Sequence, residues 1–150
     1  MRFFIAGIMQ GSHTAKAVHD QIYRTQVGEL LARYLPDAEV YDPRAQHRNS
    51  IEYAHSTGQD VFFRHNAMCR EVDALVAVLP AASMGTAIEM WEAFRCGAAV
   101  LTISPMRHNW VIKYLSHALY PDLAAFTMAL AGGDVARCID RVRSQPPPHT

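Results

Sequence analysis

The sequence predicts an α/β fold, a doubly wound parallel sheet of about five strands with helices on both faces. Three observations predict it. Short apolar runs recur at residues 2–9, 74–79 and 98–104, as strands covered on both faces require. Stretches with apolar residues at helical spacing lie between and after them. Pro, Gly and Asp punctuate the joins, at Pro36-Asp37, Pro43, Pro80, Gly97 and Pro105. Alternating strands and helices imply right-handed crossovers, and ligands of such sheets sit beyond the carboxyl ends of the strands.

Taken in order, residues 2–9 form a first buried strand that runs into the polar turn Gln10-Gly11-Ser12. Gly7 and Gly11-Ser12 are spaced loosely like a phosphate loop but lack a GxGxxG or GK[ST] pattern, so a plain strand end with a flexible turn reads equally well. Residues 18–35 read as a helix on Ile22, Val27, Leu30, Leu31, Tyr34 and Leu35, ended by Pro36. Residues 38–42 are a short strand. Residues 44–59 are polar, rich in His, Asn and Ser, and show little periodicity; a functional loop and a mobile surface loop are both open readings.

A helix resumes over residues 60–72, with Val61, Phe62, Met68 and Val72 as its packing side. The central strand 74–79 follows, closed by Pro80, and a helix begins after Ser83 as cap. On that helix Ala87, Met90, Trp91 and Phe94 make an apolar stripe, and Glu89 points away from it. Residues 98–104 form the fourth strand, 111–116 a helix and 117–120 a short fifth strand. Helices over 122–131 and 134–143 complete a single domain of residues 1–143. The Pro-rich residues 144–150 are expected to be a disordered tail.

Composition narrows the classes. The chain has 150 residues, half of them hydrophobic, and a formal net charge of zero, which argues against binding a nucleic-acid polymer or an anionic membrane through bulk charge. No apolar run approaches a membrane span, and the first residues do not read as a signal peptide. Cys69, Cys96 and Cys138 are widely spaced without a CxxC pair, so neither a disulfide framework nor a metal site is expected, and a cytoplasmic location fits best.

The chemistry concentrates in residues 83–89. Ser83 and Gly85 offer a capping hydroxyl and an open backbone at a helix start, where free amides and the dipole favour an anion. The same dipole is expected to keep Glu89 ionised. At the same end of the sheet lie the Gln10 turn and Arg107-His108-Asn109-Trp110, where Asn109 reads either as a base-edge contact or as a helix cap with Trp110 packing beside it.

Ser83-Met84-Gly85-Thr86-Ala87-Ile88-Glu89, directly after Asp73-Ala74-Leu75-Val76-Ala77-Val78, resembles the signature of the nucleoside 2-deoxyribosyltransferase superfamily. That superfamily includes N-glycosidases acting on 2'-deoxynucleoside 5'-monophosphates. Phe4-Ile5-Ala6-Gly7 is similar to its first strand and glycine. The resemblance spans residues 1–131 and implies a flavodoxin-like sheet, a nucleoside or nucleotide as small-molecule partner, no cofactor, and a homodimer or higher homo-oligomer. It implies Glu89 as the nucleophile of a covalent glycosyl intermediate, in either cleavage or transfer. Gly7, Gln10, Gly11, Ser83 and Gly85 would hold the sugar 5'-hydroxyl or a 5'-phosphate, with Tyr23, Asn66 and Asn109 as further substrate contacts.

Two positions depart from the pattern. His65 stands where the family usually has an Asp, and Gln10 where the hydrolase branch tends to have an Arg. A histidine is able to act as a general acid near neutral pH, so His65 is the expected proton donor. The alternative is a binding protein that keeps the pocket without the reaction. A flavodoxin-type electron carrier fits poorly, because the first loop lacks a hydroxyl-rich run. A receiver domain fits poorly too, because no acidic cluster follows the first strand.

Overall fold

A computed structural model describes residues 1–11, 13–14 and 16–148. The strands β1 (Arg2–Gly7), β2 (Glu39–Tyr41), β3 (Ala74–Val78), β4 (Ala99–Ile103) and β5 (Ala118–Tyr120) form one sheet in the order β2-β1-β3-β4-β5. Every pairing is parallel; Gly7 lies opposite Val78, so β1 and β3 end level with each other. This is the flavodoxin-like arrangement that the alternation predicts, and its switch point falls between β1 and β3.

The pleat divides the core cleanly. Phe3 and Ile5 of β1, Val76 of β3 and Leu101 of β4 face one side, where α1 (Ile22–Tyr34), α6 (Leu123–Ala131) and α7 (Asp134–Arg143) supply Leu31, Phe126 and Ile139. Phe4, Ala6, Leu75 and Val100 face the other, where α3 (His55–Cys69), α4 (Met84–Arg95) and α5 (Trp110–Leu115) supply Cys69, Met90 and Ile112. Sequence-adjacent residues thus serve different cores, which is why the inner strands read as unbroken apolar runs.

Caps set where the helices begin. Asn109 Oδ1 accepts from the amides of Val111 and Ile112, and Asp122 Oδ1 accepts from Ala125. Asp73 ties the bottom of the sheet together: its carboxylate accepts from the Arg2 amide at 2.7 Å and pairs with Arg143 at 3.2 Å.

Three expectations are corrected. The first helix starts at Ile22 rather than residue 18, because Gln21 instead binds the carbonyls of Ile8 and His19. Residues 44–59 are not irregular. They hold the short helix α2 (Pro43–Gln46), capped by Asp42, a 3₁₀ turn at Ser50–Glu52, and the first turn of α3. Met68 and Val72 pack against the core as expected, but the buried residues of α3 are His65, Asn66 and Cys69, Phe62 lines a cavity instead of the core, and Phe63 faces outward. The expected tail is placed as far as Pro148, and Pro147 lies against Gly97; His149 and Thr150 are outside the described residues.

Candidate active site

Chain geometry builds a cavity of about 410 Å³ over the ends of β1 and β3. One rim is polar. Gly7, Gln10 and Gly11 reach it from β1, and Ser83, Gly85 and Glu89 from α4. The opposite rim comes from the segment after β2 and from α3: Pro43, His47, Ile51, Tyr53, Phe62 and His65. The space is of a size to bury a small organic ligand.

Ser83 caps α4, its Oγ accepting from the Thr86 amide at 3.4 Å and from Thr86 Oγ1 at 3.1 Å. A Cβ on Gly85 would meet no protein atom within 4 Å, so protein packing does not require glycine there. Open backbone is left facing the cavity instead.

Glu89 lies beyond the first turn of α4, where the helix dipole has faded. It also sits beside the buried side of the helix, Thr86, Met90 and Ala93, rather than opposite it. Trp91, expected in the stripe, is 44% exposed. The carboxyl group therefore projects into the cavity floor. Burial raises its pKa to about 7, against a smaller lowering by Arg24. Desolvation thus works against the ionised form that the dipole was expected to favour.

His65 is also changed by its surroundings. Its ring is buried, Nε2 lies 3.1 Å from the Tyr41 hydroxyl, and the ring packs against His47 with centroids 5.2 Å apart. Burial lowers its pKa to about 4, with His47, Arg64 and Arg24 adding to the effect. A neutral imidazole at pH 7 is no imidazolium donor, so the proton-donor role expected of His65 lacks its charged form.

The remaining candidates divide. Gly7, Gln10, Gly11, Ser83 and Gly85 line the cavity together with Glu89 and His65. Tyr23 does not: its hydroxyl donates to the Ile8 carbonyl at 3.1 Å, and burial raises its pKa to about 12. Asn66 is buried on α3, its Nδ2 donating to Phe62 O at 2.9 Å, with Oδ1 unpartnered. Asn109 lines a second, more apolar cavity of about 350 Å³ with Leu79, Met106 and Ile112, where Gly11, Ser83 and Met84 form the shared wall. Trp110 is 76% exposed and lies edge-on to the ring of Tyr114.

Sequence reasoning missed Arg24. It lies on α1 and is 4% exposed, yet it reaches the cavity. Its guanidinium donates to Ile5 O at 2.8 Å, Gly7 O at 3.2 Å, Asp42 Oδ1 at 3.0 Å and Gln21 Oε1 at 2.8 Å. The available signal was its position among the apolar residues of the α1 stripe, three before Val27 and seven before Leu31. Asp42 and His47 have partners within the protein: Arg24, and the Tyr53 hydroxyl at 3.0 Å from His47 Nδ1. Among the described residues no group of three or more His, Cys, Asp or Glu is arranged to hold a metal ion.

No protein-family profile and no curated protein matches the sequence. Solved structures do match in shape. A 2-deoxyribosyltransferase from the psychrotolerant bacterium Bacillus psychrosaccharolyticus superimposes with a TM-score of 0.64 at 17% identity, covering 85% of this chain and 90% of that one. The solution structure of BlsM gives 0.68 at 14% identity over 99% and 97%. The CMP N-glycosidase BcmB of Clostridium botulinum gives 0.51 at 17% identity over 87% and 98%. At these identities the likeness establishes a shared fold, the one that the residue 83–89 resemblance implies.

Proposed function

We propose that the protein cleaves or transfers the N-glycosyl bond of a nucleoside or nucleoside 5'-monophosphate. The observation that carries this is Glu89, a carboxyl group in the floor of a ligand-sized cavity at the β1/β3 switch point. Fold likeness to a 2-deoxyribosyltransferase and a CMP N-glycosidase supports the reading.

In this reading the base stacks on the rim of Tyr53 and Phe62, and the sugar lies over Glu89. Its 5' end meets the open backbone at Gly85 and the Gln10-Gly11 turn. The Glu89 carboxylate attacks the anomeric carbon. A C–O bond forms as the C–N bond breaks, and the bonding pair leaves with the base, which takes its proton from water in the cavity. Water or a second base then resolves the ester with net retention. Only the anion attacks, so the rate rises with pH through about 7.

Release of free base from a panel of nucleosides and 5'-monophosphates tests the proposal, with Glu89→Gln as control. Cleavage that persists in the variant excludes Glu89 as nucleophile. The second reading, a binding protein without turnover, draws on His65, which places a neutral imidazole where the resemblance calls for an acid. Tight binding of a panel member with no base release selects it.

We also propose a homodimer or higher oligomer in the cytoplasm. Exposed Met84, Ile88, Trp91, Trp110 and Tyr114 on α4 and α5 support the first, and three free cysteines the second.

A further inference from the structure

We infer that Arg24 is a positioning residue of this site, a fixed cation anchored by β1, α1 and Asp42 that shares the cavity with the Glu89 carboxyl group and acts on it through its charge. Its catalytic consequence rests on the N-glycosyl reading; the pairing of charges does not.

The geometry assigns the role by accounting for donors. An arginine offers five N–H donors in a rigid fork. Here four of the five serve two carbonyls of β1, one carboxylate and one side-chain amide, all within 3.2 Å, and one Nη2 N–H is left over. A side chain held this way and 4% exposed does not swing out to meet a phosphate. Its charge still acts across the cavity, which both groups line.

The surroundings of Glu89 leave Arg24 as the charge opposite it. From α1 come Tyr23 and Arg24. From α3 come His65, held by Tyr41, and Cys69, whose thiol is pushed up by burial first and then by Glu89 and Glu92. Glu92 of α4 is itself taken by Arg70 and Arg95. Lys113 of α5 lies over the Tyr114 ring, and the facing residues of β1, β3 and β4 are apolar or hydroxyl-bearing. Burial pushes the Glu89 carboxyl toward its neutral form, and Arg24 opposes that push. Asp42 shares the guanidinium at 3.0 Å and so weakens its field at Glu89. Removing Arg24's charge and removing Asp42's charge thus move Glu89 in opposite directions, which a purely structural role would not produce.

The test is a ¹³C NMR titration of the Glu89 carboxyl in glutamate-labelled protein, assigned by its loss in Glu89→Gln. Arg24→Met should raise the midpoint by about one pH unit or more. Arg24→Lys should return it most of the way, and Asp42→Asn should lower it. If Arg24→Met does not fold, the other two decide. An unmoved midpoint in Asp42→Asn, or Arg24→Lys as far from wild type as a folded Arg24→Met, overturns the inference. Where the N-glycosyl reading holds, the pH–rate midpoint shifts in the same directions. Loss of that reading leaves the NMR result untouched, so the two failures are told apart.

Discussion

The two faces of the sheet solve different problems with similar helices. The face covered by α1, α6 and α7 is closed around Phe3, Leu31, Phe126 and Ile139, and α7 presents an apolar side to the core and charged residues to water. On the face covered by α3, α4 and α5 the pattern is partly inverted. There α3 turns His65 and Asn66 inward, Phe62 to the cavity and Phe63 outward, and α4 and α5 expose Trp91 and Trp110. Buried polar residues mark where helices border the cavity, and Arg24 of α1 is the same sign on the otherwise closed face; the outward aromatics of α4 and α5 mark, on our proposal, a second copy of the chain.

Substitutions on the two faces should therefore fail in different ways. The largest effect expected is on the site face: Glu89→Gln should lower N-glycosyl turnover by a factor on the order of 10⁴ while the chain stays folded. Full turnover in that variant would leave the cavity without its proposed nucleophile. Next comes the closed face. Phe126→Ala should cost about 3–5 kcal/mol in urea unfolding, by lost burial and a residual cavity. A cost below about 1 kcal/mol would show that this face is no better packed than the other.

The third test is pH. Glu89 has its folded pKa raised from 4.5 to about 7, so the folded state binds the extra proton between those values and its stability falls as pH rises through them. His65 has its folded pKa lowered from 6.5 to about 4, so the unfolded state binds the extra proton and stability is lost as pH falls through that window. Between about pH 4.5 and 6.5 the two slopes oppose. Glu89→Gln should unmask a stability that rises with pH there, and His65→Asn one that falls, each by about 1–3 kcal/mol across the window after allowing for the opening of the cavity. Equal slopes in both variants would break the assignment of these two groups. The smallest effect belongs to the outward aromatics: Trp91→Ser with Trp110→Ser should change stability by no more than about 0.5 kcal/mol. The same pair should halve the mass seen in light scattering if α4 and α5 form the proposed interface; an unchanged mass removes them from it.

These contrasts also explain what the sequence revealed. Alternation of apolar runs with helical spacing made the sheet legible, because inner strands of a parallel sheet are constrained on both faces. Ser83, Gly85 and Glu89 were legible because cap, open backbone and carboxylate are close in sequence. Arg24 was not, since its partners Ile5, Gly7 and Asp42 meet it only after β1, α1 and β2 pack together. The inward turn of His65 was hidden for a related reason. Tyr41, on another strand, satisfies its ring, and a helical wheel carries no information about a partner 24 residues away. The raised pKa of Glu89 was not legible, because desolvation depends on tertiary packing that local dipole arguments omit.

One contact has an evolutionary consequence. The Tyr23 ring lies so close over Gly7 that a Cβ at that glycine would sit 2.8 Å from two of its carbons. Any side chain at position 7 must displace the tyrosine, and with it the hydroxyl bond to Ile8 at the strand end. The two positions therefore form a single heritable unit. A side chain at position 7 is accommodated only together with a shift or replacement of the Tyr23 ring.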